Sequence, residues 1–234
     1  MAFKNRRNSL RLKGYDYSQP GEYFVTICTR DRKCVLGTVE NGKMRLSELG
    51  KIVDAYWRKV PEDFPNMRLG GFQIMPNHMH GVIQIKEDGR QSTKESCRGL
   101  INQTPTTVDT GGDWILMRNP KTPLGKVIRS FKARCTRLIH EAGHPTFGWQ
   151  RNYYDHIIRD DIDHFLVEQY IELNPILWSL DIDNPGWGGA SIDDLREELK
   201  TQHGLTGFAL ERVIEHEVEY RNWRDNGTEA PLTA

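Results

Sequence analysis

The chain has 234 residues, with 32 Lys and Arg balanced by 32 Asp and Glu, a length that suits one full domain with additions. It contains no run of about 18 apolar residues and no apolar N-terminal segment, so neither a membrane span nor a secretory signal is expected. The zero net charge hides a division: residues 1–160 hold 27 basic and 16 acidic residues (+11), whereas residues 161–234 hold 5 and 16 (−11).

In chain order, the N-terminal stretch with Arg6, Arg7, Arg11 and Lys13 is basic and reads either as a solvated tail or as an arm that grips phosphate. Residues 23–29 are rich in β-branched and aromatic side chains and predict a first strand. Residues 35–39 and 43–46 flank Glu40-Asn41-Gly42, a strong hairpin signal. A helix is expected over 48–60, with Leu49, Ile52, Val53, Tyr56 and Trp57 on one side and Pro61 as its stop. Strands over 67–75 and 78–86 follow, joined around Pro76-Asn77. Residues 87–123 then turn polar and rich in Gly and Pro, which predicts an insertion or long loop.

Residues 124–140 form an amphipathic pattern. Val127, Ile128, Phe131, Cys135, Leu138 and Ile139 make the apolar stripe, and Lys126, Arg129, Lys132, Arg134 and Arg137 make a cationic remainder without an acid among them. Such a face is ordinarily solvated, but its density suits contact with nucleic-acid phosphates. Residues 149–158 read as a last strand. Residues 161–173 have helical spacing through Ile162, Phe165, Leu166, Tyr170 and Leu173. Residues 181–189 read as a linker, and acidic helices are expected over 192–203 and 208–223, the latter with Leu210, Val213, Ile214 and Val218 on one face. The bland reading packs this extension against the domain; the opposite charges raise the hypothesis that it occludes the basic face when DNA is absent. Of the four cysteines, Cys28 and Cys135 sit in apolar patterns and are expected in the core. Cys34 and Cys97 complete the set, and reduced thiols fit all four.

The chemistry concentrates in two places. In His78-Met79-His80 the imidazoles are two apart on a strand, so they share a face and can converge on one divalent ion. Paired surface histidines are the bland alternative. Tyr170 and Asn174 are four apart near a helix end and share a face if helical geometry persists into the last turn, although Pro175 biases Asn174 away from the α region. The bland reading makes Tyr170 a core residue and Asn174 a helix terminator. Together, two imidazoles and an amide oxygen leave a hard cation its full charge and open positions for phosphate oxygens, and the phenol supplies a nucleophile. His156 is a rival third ligand and Tyr153 a rival nucleophile.

These residues resemble a known family. His78-Met79-His80 looks like the His-hydrophobic-His motif of HUH single-strand DNA transposases and replication initiators, and Tyr170 with Asn174 looks like the tyrosine and third ligand of the one-tyrosine branch. Residues 11–29, Met75-Pro76-Asn77-His78 and residues 149–159 are similar to the bacterial REP-associated tyrosine transposases. The resemblance implies an α+β fold, a ferredoxin-like or RRM-like antiparallel sheet flanked by helices over residues 1–178, with residues 179–234 as an acidic helical extension. It implies Mg²⁺ or Mn²⁺ held by His78, His80 and Asn174. It also implies attack of Tyr170 on single-stranded DNA carrying hairpins or palindromes, leaving a 5′-phosphotyrosine and a free 3′-hydroxyl. Asn174 is shorter than the Gln common in the wider group. A bacterial cytoplasmic protein, nucleoid-associated when bound and working as monomer or homodimer, follows from the same resemblance. A DNA-hairpin binder without catalysis is the alternative. HIT-type nucleotide hydrolases are disfavoured, because their third His would fall at Val82.

Overall fold

The computed structural model describes residue 15, residues 19–86 and residues 122–226, the last four without their side chains. Arg6, Arg7, Arg11, Lys13, Cys97 and almost all of the expected 87–123 insertion lie outside the described residues.

The fold is α+β, with a four-stranded antiparallel sheet flanked by helices. β1 (Gly21–Cys28), β4 (Met67–Ile74), β5 (His78–Ile85) and β6 (Tyr154–Ile158) pair in the order β4-β5-β1-β6. With α1 (Glu48–Arg58) and α3 (Pro123–Glu141) as crossovers, this is the β-α-β-β-α-β order of a ferredoxin-like sheet. β2 (Gly37–Glu40) and β3 (Lys43–Leu46) form a separate hairpin whose turn residues Asn41 and Gly42 both have positive φ, the conformation that Asn-Gly adopts readily. Ser47 caps α1 by accepting from the Gly50 N–H at 3.1 Å. α1 ends at Arg58, and Pro61 stands in the first turn of a further short helix, α2 (Val60–Asp63), so it opens a helix where a stop was expected.

Strand alternation divides the sheet into two unlike faces. Tyr23, Val25, Ile27, Met79 and Ile83 point toward α1 and α3 and form one core with Trp57, Val127, Phe131 and Ile139. Gly81 lets the Trp57 ring lie on β5, since a Cβ there would come within 2.5 Å of that ring. The other face carries Phe24, Val82, Tyr154 and Ile158, and it packs against α4 (Asp161–Leu173), α5 (Ile192–His203) and α6 (Gly207–Asn226).

Several expectations change. β6 starts at Tyr154, five residues later than expected, because Lys132 Nζ donates to the Gln150 and Asn152 carbonyls at 2.9 and 2.8 Å and holds that stretch out of the ladder. Trp149 keeps only an isolated bridge to Thr29. On α4, Ile162 and Phe165 are each 56% exposed, and the inward row is Asp163, Leu166, Val167, Tyr170, Ile171 and Asn174. Residues 181–189 are no free linker: Ile182 and Asp183 are buried, and the Asp183 carbonyl accepts from Asn77 Nδ2 at 2.6 Å. The acidic α6 lies on the face opposite α3, so it covers the histidines and not the basic helix.

Candidate active site

The alternation that buries Met79 toward α1 and α3 turns His78 and His80 to the other face, where both are 1% exposed. Their Nε2 atoms lie 3.0 Å apart. Asn77 fixes the tautomer of His78. Its Nδ2 donates to the Arg32 and Asp183 carbonyls, so its Oδ1 is left to accept from His78 Nδ1–H at 2.9 Å. The lone pair of His78 is therefore on Nε2. His80 Nδ1 sits 2.9 Å from the Thr26 hydroxyl, its cross-strand neighbour. That hydroxyl can donate or accept. It serves the tautomer whose Nε2–H bonds His78, and equally the tautomer that frees Nε2 for an ion. Burial, followed by the positive charge of Arg32, pushes His78 down to about 3. His80 is also held well below its usual value, by burial and then by the neighbouring His78. Both imidazoles are thus neutral, the form that ligates metal.

α4 brings Tyr170 and Asn174 to the same place. Asp160 caps the helix by accepting from the Asp163 N–H at 2.8 Å. At the other end Asn174 has φ −51° and ψ −46°, so helical geometry persists despite Pro175. Asn174 Nδ2 donates to the Tyr170 carbonyl at 3.0 Å, and its side chain lies close enough to His78, His80 and the Tyr170 hydroxyl to bias the titration of all three. The Tyr170 ring packs 5.3 Å from His80 and 5.8 Å from Phe24, edge to face in both cases. Its hydroxyl donates to Glu217 Oε2 at 3.0 Å. Burial, then the Glu217 and Asp181 charges, hold the phenol well above its usual value. It is a protonated phenol, 7% exposed.

Sequence reasoning missed a shell of charge around these four residues. Asp181 Oδ2 lies 3.8 Å from His78 Nε2, and Asp183 Oδ2 lies 3.9 Å from His78 Nδ1. Asp183 pairs with Arg32 and accepts from the Tyr220 hydroxyl. Glu217, buried on α6, is held by Arg221 Nε at 2.7 Å. Burial, then the proximity of Asp183, raises the Asp181 carboxyl well above the usual range. Two signals pointed here. Asp181-Ile182-Asp183 alternates polar and apolar as a docked segment does, and Glu217 falls on the Leu210, Val213 and Ile214 stripe, where an exposed acid does not belong.

The remaining candidates scatter. Tyr153 packs against the α1/α3 core, across the sheet from the histidines. His156 shares their face but lies beyond β1, opposite Phe24, and its Nε2 bonds Asp163 at 3.0 Å. On α3, Lys126, Arg129, Arg134 and Arg137 are exposed; Arg134 lies 3.5 Å from Asp63 and Arg137 lies 3.8 Å from Glu141. Lys132 leaves the cationic set. It is 5% exposed and spent on two carbonyls, because its stem follows the apolar stripe inward.

No family model matches the chain. Among solved structures it is similar to a REP-associated tyrosine transposase bound to a REP hairpin (19% identity, 76% of each chain, TM-score 0.44). It is also similar to a candidate transposase of Deinococcus radiodurans R1 (15% identity, 69% of this chain and 95% of that one, TM-score 0.36). Similarity at this level leaves the chemistry to the residues of the chain itself. An uncharacterized protein of Haemophilus influenzae is 37% identical over 177 residues, which span 76% of this chain and 92% of that protein. At that identity and coverage, the chain belongs to the same family as the Haemophilus influenzae protein.

Proposed function

We propose that the chain is a transposase-like, metal-dependent endonuclease and strand transferase of single-stranded DNA with hairpin or palindromic elements, and that Tyr170 is its nucleophile. The observation that carries this reading is the meeting of His78, His80 and Asn174 with the Tyr170 ring on one face of the sheet. Two neutral imidazoles whose Nε2 atoms converge, beside an amide oxygen, suit a divalent ion, and Asn77 and Thr26 supply the outer hydrogen bonds that orient such ligands. When bound, Mg²⁺ or Mn²⁺ polarises the scissile phosphate.

The other tasks belong to the chain. Phe24 and His80 clamp the Tyr170 ring, which fixes the line along which its oxygen meets phosphorus. The Tyr170 oxygen bonds to phosphorus as the phenol gives up its proton, and the phosphorus–O3′ bond breaks. The leaving oxygen takes a proton to become a 3′-hydroxyl, and the 5′-phosphate stays esterified to Tyr170. Phenolate is a tolerable leaving group, so a 3′-hydroxyl can reverse the step and rejoin strands.

In the conformation described, α6 closes the site. The phenol is buried against Glu217, and Asp181 and Asp183 lie beside His78, so a strand has no open path to the site. A strand reaches Tyr170 only after α6 lifts. The same closure favours the second reading, a hairpin-binding protein without catalysis. Incubation with labelled hairpin-bearing single strands and Mn²⁺ separates the two. A covalent adduct in wild type that Tyr170→Phe abolishes is the expected result. Tight binding without any adduct in wild type means the binder.

A further inference from the structure

A second cluster lies on the same face, across β1 from the first. His156 comes from β6, whose alternation turns Tyr154, His156 and Ile158 toward α6. His216 and Glu219 come from α6, three residues apart and so on one side of the helix. One ligand atom from each of the three lies within 4.8 Å of the others. His216 is 6% exposed, and its Nε2 has no hydrogen-bond partner, although Asp163 Oδ1 is 3.5 Å away.

The surroundings are those of an oriented ligand set. Both Asp163 oxygens accept from His156 Nε2, at 3.0 and 3.1 Å, and this carboxylate is itself held by the Arg159 N–H at 3.2 Å. With Nε2 committed to Asp163, His156 Nδ1 is the nitrogen left for an ion, and it faces Glu219 Oε2 at 3.6 Å. A carboxylate behind a histidine that turns its other nitrogen to a common point is the arrangement that orients metal-bound imidazoles. Tyr154 donates to Glu219 Oε2 at 3.2 Å and steadies the third donor. The Glu219 side chain is 36% exposed, which leaves a solvent side for water ligands. Two imidazoles and one carboxylate suit a first-row divalent ion of the Zn²⁺ class better than Mg²⁺, which prefers oxygen.

We infer that His156, His216 and Glu219 form a second metal site, distinct from His78 and His80, which binds a Zn²⁺-class ion and staples α6 to β6. Asp163 is its positioning residue. The inference does not depend on the proposed nuclease activity.

The test uses full-length, tag-free protein stripped with chelator. In the His78→Ala/His80→Ala variant, equilibrium dialysis against Zn²⁺ with elemental analysis should give one bound ion per chain. Co²⁺ in its place should give visible bands of a low-coordinate site. Adding Glu219→Gln, a near-isosteric change at a part-exposed side chain, should abolish that ion. Asp163→Asn should weaken binding about 10- to 100-fold. Thermal melts check that each variant folds. A folded double variant that binds no ion, or one whose ion survives both Glu219→Gln and His216→Ala, overturns the site. A missing DNA adduct with the ion still bound would count against the nuclease reading alone.

Discussion

At the residue scale, the account turns on neutral histidines. His78→Ala removes one of the two converging nitrogens, so we expect cleavage to fall below detection, measured as adduct formation with Mn²⁺. DNA affinity, measured by gel shift, should stay within a few fold, because phosphate contacts elsewhere carry most of it. Retained cleavage would remove the metal role of His78. Lys132 gives a pH test that is independent of the site. Burial holds its ammonium down to about 7, against 10.5 in the unfolded chain. Between these values the unfolded chain binds more protons, so stability should rise with pH from about 7 to 10.5 and fall as pH drops back toward 7. Lys132→Met should flatten that part of the melting-temperature profile, and an unchanged slope would contradict the assignment. Both the His-x-His pair and Tyr170 with Asn174 were readable, because alternation and helical spacing dictate shared faces. Lys132 was misread, since spacing cannot tell a cation that snorkels out from one that finds carbonyls inside.

At the element scale, most helices and strands were legible to within a few residues, β6 and the short α2 excepted, but their destinations were not. α5 and α6 announced themselves by their apolar stripes and by the Ser191 capping box, yet a stripe says only that something is buried against it. The opposite charges suggested occlusion of the basic face as a hypothesis beside plain packing against the domain. The actual partner is the apolar face made by Phe24, Val82, Tyr154 and Ile158, because burying Leu210, Val213 and Ile214 outweighs pairing exposed charges. This makes α6 a cover over Tyr170. Leu210, 2% exposed, holds it down. Leu210→Ala should weaken that docking by about 2–5 kcal/mol. The variant should form the Tyr170 adduct faster than wild type in single-turnover assays. An adduct rate that is unchanged or lower in a folded variant would mean that the closure is not what limits access.

At the scale of the whole molecule, charge and chemistry lie on different faces. The exposed cations Lys126, Arg129, Arg134 and Arg137 are on α3, and the histidines are across the sheet under α6. A hairpin held by α3 would therefore have to send its single strand around the sheet to the site. Binding should weaken steeply with salt, and Lys126→Glu with Arg129→Glu should lower both the affinity and the slope against log salt, by about one phosphate contact per residue. An unaltered slope would move the DNA track off α3. The strands were legible from their residue patterns, and the ferredoxin-like sheet that joins them was expected from the family resemblance. The closed site was not, since it depends on Asp181 and Asp183 folding back over His78, about a hundred positions away, and on Glu217 reaching Tyr170, 47 positions away, contacts that no local period encodes.

The most direct test is to locate the DNA-linked residue. Wild-type protein is trapped on a hairpin-bearing single strand with Mn²⁺, digested, and mapped by peptide mass. The account predicts a 5′-phosphate ester on the peptide that contains Tyr170, and none on the peptide that contains Tyr153. An adduct on any other residue, or none while binding stays tight, would contradict it.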